Sequence, residues 1–268
     1  MEIRVFDVSH GFCAYLIADN GNVMLFDCGH NERTGFRPSE YLPRNGCRGI
    51  EHLIIQNFDQ DHVSDLHNLL RILPVDVHYR NRSISPETLT ALKLKTGPLT
   101  SAMQAAIDLH GNYVTEVQTP PDFPGLEFEC FHNHYPEFQD TNNLSLVSFV
   151  HYDGMGIVFP GDLEKSGWLA LLRDPRFCQH LSRVNIFVAS HHGRETGYCK
   201  EVFDHCNPEI VIISDKEIVH ETQKQQYKQH AYGVPWNGGP EYRYVFTTRS
   251  DGNITITKKL GQGIHVQI

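Results

Sequence analysis

Short apolar runs recur along this chain, and four of them run straight into carboxylates or imidazoles. Val23-Met-Leu-Phe26 leads into Asp27, and Glu51-His-Leu-Ile-Ile-Gln56 leads into Asn57-Phe-Asp-Gln-Asp-His62. Ile157-Val-Phe159 is followed by Asp162, and Val184-Asn-Ile-Phe-Val-Ala-Ser190 by His191-His192. Runs this short and this apolar fit strands covered on both faces. Polar groups on loops at strand ends are where α/β proteins usually build their sites.

The rest of the chain fills in around these runs. Strands are expected near Ile3 to Val8, at Cys13 to Ala18 and at Val75 to Tyr79, with Asn20-Gly21 as a hairpin turn. Further strands are expected at Tyr113 to Val117, Leu126 to Phe131, Leu144 to His151 and Ile210 to Ser214. Helical spacing or helix-start signals mark Pro38 to Leu42, Val63 to Leu73, Pro86 to Lys95, Leu99 to Leu109, Leu163 to Arg173 and Thr222 to Ala231. Tyr242 to Thr248, Asn253 to Lys258 and Ile264 to Ile268 close the chain as strands, with Asp251-Gly252 expected as a hairpin turn. Strands and helices alternate through both halves without a linker or repeat, so one α/β domain spanning 1–268 is expected, a two-layer core with helices outside.

Composition narrows the function. A net charge of −9 argues against a long basic groove gripping duplex DNA. It leaves room for a small anionic substrate, because a bound metal supplies its own local charge. Seven scattered cysteines without a Cys-x-x-Cys pair speak against a disulfide framework or a zinc ribbon. No apolar run reaches the ~18 residues of a membrane span, and the start lacks the features of a signal peptide, so a cytoplasmic chain is expected. The 17 histidines stand out, histidine being the commonest metal ligand.

The four clusters together suit a site for one or two divalent metals. Asp61 taken alone is equally a helix N-cap. His132 and His134, two apart and so on one face of a strand, are further candidate ligands. His220 is a candidate for substrate contact or proton transfer, while Tyr227 and Cys28 are expected to pack. The chain lacks both a Gly-x-Ser-x-Gly elbow and a phosphate-binding loop, so a side-chain nucleophile is not expected.

In their order along the chain, these segments resemble the metallo-β-lactamase fold superfamily, and most closely its ComEC-type branch. The branch opens with Asp-Val-Gly-Gln-Gly, here Asp7-Val-Ser-His-Gly11, and continues with Ile-Asp-x-Gly, here Phe26-Asp-Cys-Gly29. Its metal motif Ser-His-x-Asp-x-Asp-His stands here as Gln56-Asn-Phe-Asp-Gln-Asp-His62. Asn142-Asn-Leu-Ser-Leu-Val147, Gly161-Asp162, His191-His-Gly193 and the tail from Tyr244 to Thr255 follow in the family's order. The resemblance covers about residues 3 to 268.

The resemblance implies a four-layer αββα sandwich, two facing mixed sheets with outer helices and a metal site on one edge. It implies Asp61, His62, Asp162 and a histidine of the 191–192 pair as ligands of one Zn2+ or Mn2+ ion. His191 is taken as that histidine because it is the first residue past the strand; His192 takes its place if the register differs by one. A second ion would be shared through Asp162 and held by Asp59, with Asp27 orienting ligands from behind. Two positions depart from the pattern. Asn57 replaces a histidine and offers only an amide oxygen, a poor zinc ligand though acceptable to harder metals. His10 replaces a glutamine. The implied activity is metal-dependent hydrolysis by an activated water, with Asp61 and His62 at its centre. A phosphodiester of a nucleotide or nucleic acid is the expected substrate. A small ester, lactone or amide, or a non-catalytic member that binds a partner, are the alternatives.

Overall fold

The computed structural model describes residues 1–216, 222–236 and 239–268. In the first sheet run β1 (Glu2–Val5), β2 (Ala14–Ile17), β3 (Val23–Phe26), β4 (Ile50–Ile54), β5 (Val75–Tyr79), β14 (Ile254–Lys258) and β15 (Ile264–Gln267). Their order is β15-β14-β1-β2-β3-β4-β5, antiparallel as far as β3 and parallel from β3 to β5. The second sheet holds β6 (Leu126–His132), β7 (Leu146–Tyr152), β8 (Met155–Phe159), β9 (Ile186–Val188), β10 (Ile210–Ile213) and β13 (Val245–Thr247). Its order is β13-β10-β9-β8-β7-β6, with β8, β9, β10 and β13 parallel and β6 and β7 antiparallel. The short strands β11 (Val234–Pro235) and β12 (Tyr242–Arg243) form a separate pair.

Side-chain alternation builds the layers. Met24 and Phe26 of β3, Ile157 and Phe159 of β8, and Ile210 and Ile212 of β10 meet between the sheets. Their neighbours point the other way. Leu25 and Leu53 pack under α1 (Pro38–Arg44), α2 (Gln60–Val63), α3 (Leu66–Ile72), α4 (Pro86–Leu94) and α5 (Ser101–Asn112). Val158, Phe187 and Val211 pack under α6 (Lys165–Leu171), α7 (Pro175–Leu181) and α8 (Lys224–Lys228). Three apolar interfaces between four layers follow from the period of two in each strand. This is the αββα sandwich expected from the sequence. Local chemistry sets the helix starts: Ser85 caps Thr88 N–H, Thr100 caps Met103 N–H, and Pro86 and Pro175 sit in first turns. No described helix is long and apolar enough to cross a membrane.

Four expectations differ from the structure. The expected helix Val63 to Leu73 is two helices, α2 and α3, parted at Ser64-Asp65, and the expected strand Tyr242 to Thr248 is β12 and β13, which lie in different sheets. Asp251-Gly252 is not a hairpin: Thr248–Asp251 is a short helix, α9, and the chain crosses from β13 in one sheet to β14 in the other. Gly252 makes that exit at φ +68, where glycine is favoured. Residues 113–117 form no strand; Tyr113 ends α5 and ties its hydroxyl to Val75 O at 2.6 Å.

Candidate metal centre

The strands that matter end on one edge. Asp27 follows β3 and Asn57 follows the parallel β4; Asp162, His191 and Ser214 follow β8, β9 and β10. Gln56 joins the two sheets there, donating from Nε2 to Leu146 O at 3.2 Å and Phe159 O at 2.5 Å. Carboxyl ends of neighbouring parallel strands are the general location of α/β sites.

Asp61, His62, Asp162 and His192 bring one ligand atom each to within 4.8 Å of one another. His62 Nε2 lies 3.0 Å and His192 Nε2 3.4 Å from Asp162 Oδ1, and His192 Nε2 lies 3.3 Å from Asp61 Oδ2. Each imidazole is aimed by its other nitrogen. His62 Nδ1 donates to Asp27 Oδ2 at 2.6 Å, and His192 Nδ1 donates to Ser214 O at 3.1 Å. Asp27 is itself fixed by Gln56 N–H at 2.7 Å. Outer hydrogen bonds of this kind orient metal ligands. His62 Nε2, His192 Nε2 and Asp162 Oδ1 are buried, lie close to one another, and make no well-aligned hydrogen bond among the described residues. Buried polar atoms are seldom left so, and a divalent cation among them would satisfy all three. Two imidazoles and two carboxylates form a donor set suited to zinc or manganese.

The backbone holds α2 tightly. A Cβ on Gly11, at φ +127, would sit 2.2 Å from Asp61 O, and one on Gly29 would sit 2.6 Å from the same atom. Both glycines therefore let the neighbouring loops close on the turn that carries Asp61 and His62.

Other expected residues lie differently. His192, not His191, joins the cluster. β9 ends at Val188 and both histidines have left-handed backbone, φ +48 and +56. The His191 ring accordingly turns to Thr196 Oγ1 at 2.8 Å and towards Glu164 Oε1 at 3.5 Å. Asp59 is also outside the cluster, its carboxylate in an ion pair with Lys93. Asn57 caps Asp59 N–H at 3.0 Å through Oδ1 and donates from Nδ2 to Asn142 Oδ1 at 3.1 Å. His132 and His134 meet edge to face, ring centroids 4.8 Å apart, and take no part in the cluster. His220 lies outside the described residues.

His10 stands at the mouth, Nε2 3.3 Å from Asp61 Oδ2. Arg194 bridges the outer histidines, with guanidinium nitrogens 3.0 Å from His10 Nε2 and 3.3 Å from His191 Nε2. Beyond Asp61 opens a cleft of about 510 Å³ lined by His10, Arg33, Gln60 and Lys216 among others. Sequence reading passed over Arg194, although it directly follows His191-His-Gly193, and over Lys93, which gives no signal on a helix.

The electrostatics follow from burial and neighbours. Burial pulls the His10 imidazole down to about 4, helped by His192 and Arg194 and opposed by Asp61. Burial likewise lowers His191, and both rings turn Nε2 to the Arg194 guanidinium. Burial alone would depress His62 and His192, but Asp162 together with Asp27 or Asp61 outweighs it and raises both. Burial would raise Asp61 and Asp162, but the two imidazoles outweigh it and lower both.

A sign follows for pH. Raised histidines stabilise the metal-free fold below their unfolded value of about 6.5, and that contribution is lost as pH rises through the folded values. A cation must displace these imidazole protons to bind. Metal affinity is therefore expected to rise with pH as long as pH lies below the raised folded values of His62 and His192, by about tenfold per unit for each proton displaced, and to level off above them. Calorimetric titration at several pH values and in buffers of different ionisation enthalpy measures this; a pH-independent affinity would contradict it.

The family model of the metallo-beta-lactamase superfamily matches residues 14–179, more than half of the chain, and the chain belongs to that superfamily. Members of this superfamily are metal-dependent hydrolases, and this chain carries a histidine and aspartate cluster that could hold a metal ion. ComE operon protein 3 of Bacillus subtilis (strain 168) is 25% identical over 213 residues, 76% of this chain. The chain spans about a quarter of that relative's length, 26%. The relative agrees with the ComEC-type branch. Among solved structures, a diphosphatase from the PhnP family aligns over 95% of this chain and 97% of its own, at 10% identity and a TM-score of 0.48. The short form of human tRNase Z aligns over 84% and 94%, at 14% identity and a TM-score of 0.41.

Proposed function

We propose that the chain hydrolyses a phosphodiester in a nucleotide or nucleic acid, with Asp61, His62, Asp162 and His192 holding a Zn2+ or Mn2+ ion. The observation that carries the substrate class is Arg194. In a chain of net charge −9, a guanidinium is held by the imidazoles of His10 and His191 next to the candidate metal centre, with Arg33 and Lys216 along the adjoining cleft. Those contacts leave guanidinium N–H groups free, and their planar fork suits a phosphate oxygen pair.

The cation supplies a water of near-neutral pKa. The chain's own residues do the rest. Asp27 and Ser214 O keep both imidazole Nε2 atoms directed at Asp162. Asp61 Oδ2, 3.3 Å from both His192 Nε2 and His10 Nε2, would hold the ion and its water from the cleft side. His10 and His191 hold Arg194 where it orients the phosphate.

Turnover of bis(p-nitrophenyl) phosphate and of short single strands by metal-stripped protein, titrated with Mn2+, Zn2+ and Mg2+, tests this reading. Metal-dependent release of nitrophenolate or nucleotide is expected. Turnover of esters or lactones but not phosphodiesters would reassign the substrate, and no turnover with any of these metals would refute the enzyme reading. Arg194→Met is expected to raise KM for a phosphodiester by about 10–100-fold, the worth of one or two hydrogen bonds to a charged group. Its metal content should stay at the wild-type value. An unchanged KM, read by steady-state kinetics, would remove Arg194 from the substrate site.

A further inference from the structure

We propose that the centre takes one metal ion, and that Lys93 stands where a second cation would otherwise be held. The two halves of the site differ in how their polar atoms are satisfied. Around Asp61, His62, Asp162 and His192, three buried ligand atoms face one another without a well-aligned hydrogen bond among the described residues. Around Asn57 and Asp59 the contacts run to other side chains and backbone of this chain. Asn57 Oδ1 accepts from Asp59 N–H and its Nδ2 donates to Asn142 Oδ1. Asn142 Nδ2 in turn donates to Glu164 Oε1 at 3.3 Å. Asn57 Oδ1 is thus turned to the Asp59 amide, and its Nδ2 is a donor and no metal ligand.

The Asp59 carboxylate is engaged by Lys93 Nζ, which also donates to Thr141 Oγ1 at 2.7 Å. Lys93 is only 2% exposed, unusual for lysine. It reaches inward from α4, and a buried lysine is kept by a partner charge. Its positive charge balances Asp59 as a cation would. An ion entering there would have to displace Nζ, break the Asn57–Asp59 cap and accept an amide oxygen as a ligand. A second ion is therefore excluded by charge and by geometry together. The inference concerns stoichiometry and stands whichever bond the chain cleaves.

The test is metal content by mass spectrometry after saturation with Zn2+ or Mn2+ and dialysis, with affinity by calorimetry. One ion per chain is expected for the wild type; none, or two, would overturn the proposal. The paired replacement Asp59→Asn with Lys93→Met removes both charges at once and leaves no unpaired buried ion. It is expected to keep one ion with affinity within about twofold of wild type, below the 10–100-fold cost of losing even an outer partner of a ligand. A tenfold or greater loss would make Asp59 a ligand and overturn the proposal. Should the pair not fold, the wild-type ratio decides alone.

Discussion

Replacing His192 with Ala is expected to strip the metal and lower kcat/KM at least about a thousandfold, roughly 4 kcal/mol of transition-state stabilisation. The ring is one of two imidazoles whose Nε2 faces Asp162. Without it, two carboxylates and one imidazole remain, and the aim that Ser214 O gave to the fourth ligand is lost. His191→Ala, one residue away, is expected to keep the ion and to raise KM through the loosened Arg194. Asp61→Ala should behave like His192→Ala, with an intact circular dichroism spectrum, because its side chain faces the cleft. Metal content and steady-state kinetics on the three variants read this. The reverse order of the two histidines would mean that His191 is the ligand.

Asp27→Ala is expected to be the most damaging change that touches no candidate substrate contact. Asp27 is fully buried, accepts Gln56 N–H at 2.7 Å and pairs with His62 Nδ1 at 2.6 Å. Its loss orphans a buried amide and leaves a buried imidazole without its charge partner. Breaking one side of a buried pair costs about 3–5 kcal/mol. Metal affinity should fall by about 10–100-fold as well, because His62 is no longer aimed. Urea unfolding of the metal-free protein and calorimetric titration of the metal measure the two losses separately. A stability loss below about 1 kcal/mol would contradict the role given to this carboxylate.

The layered fold and the edge on which the site lies were legible because they depend on local pattern. Apolar runs of strand length and the polar residues just past them are visible without tertiary information, as at Phe26-Asp27 and Ile55-Gln56. What periodicity does not carry is backbone sign and long-range pairing. The choice of His191 over His192 failed on two consecutive left-handed residues, which reverse the facing that a simple strand exit would give. The expected Asp251-Gly252 hairpin failed for a related reason. A turn dipeptide marks a change of direction, not which sheet the next strand joins. Asp59 was expected on a metal, and its partner Lys93 lies 34 residues away on a helix, beyond any spacing rule. Asn57 was read as a weakened ligand; its amide instead caps Asp59 N–H and bonds Asn142.

Arg194 shows the same limit from the other side. A basic residue after His-His-Gly says little by itself. It becomes informative only when His10, 184 residues earlier, is seen to share it with His191.

X-ray absorption of the zinc-loaded protein tests the proposed centre most directly, because it reads the ligand shell without a mutation. The expected spectrum shows two imidazoles and carboxylate oxygens at about 2.0–2.2 Å, with no sulfur near 2.3 Å. Protein that retains no zinc, or a shell with fewer than two imidazoles or with a thiolate, would contradict it.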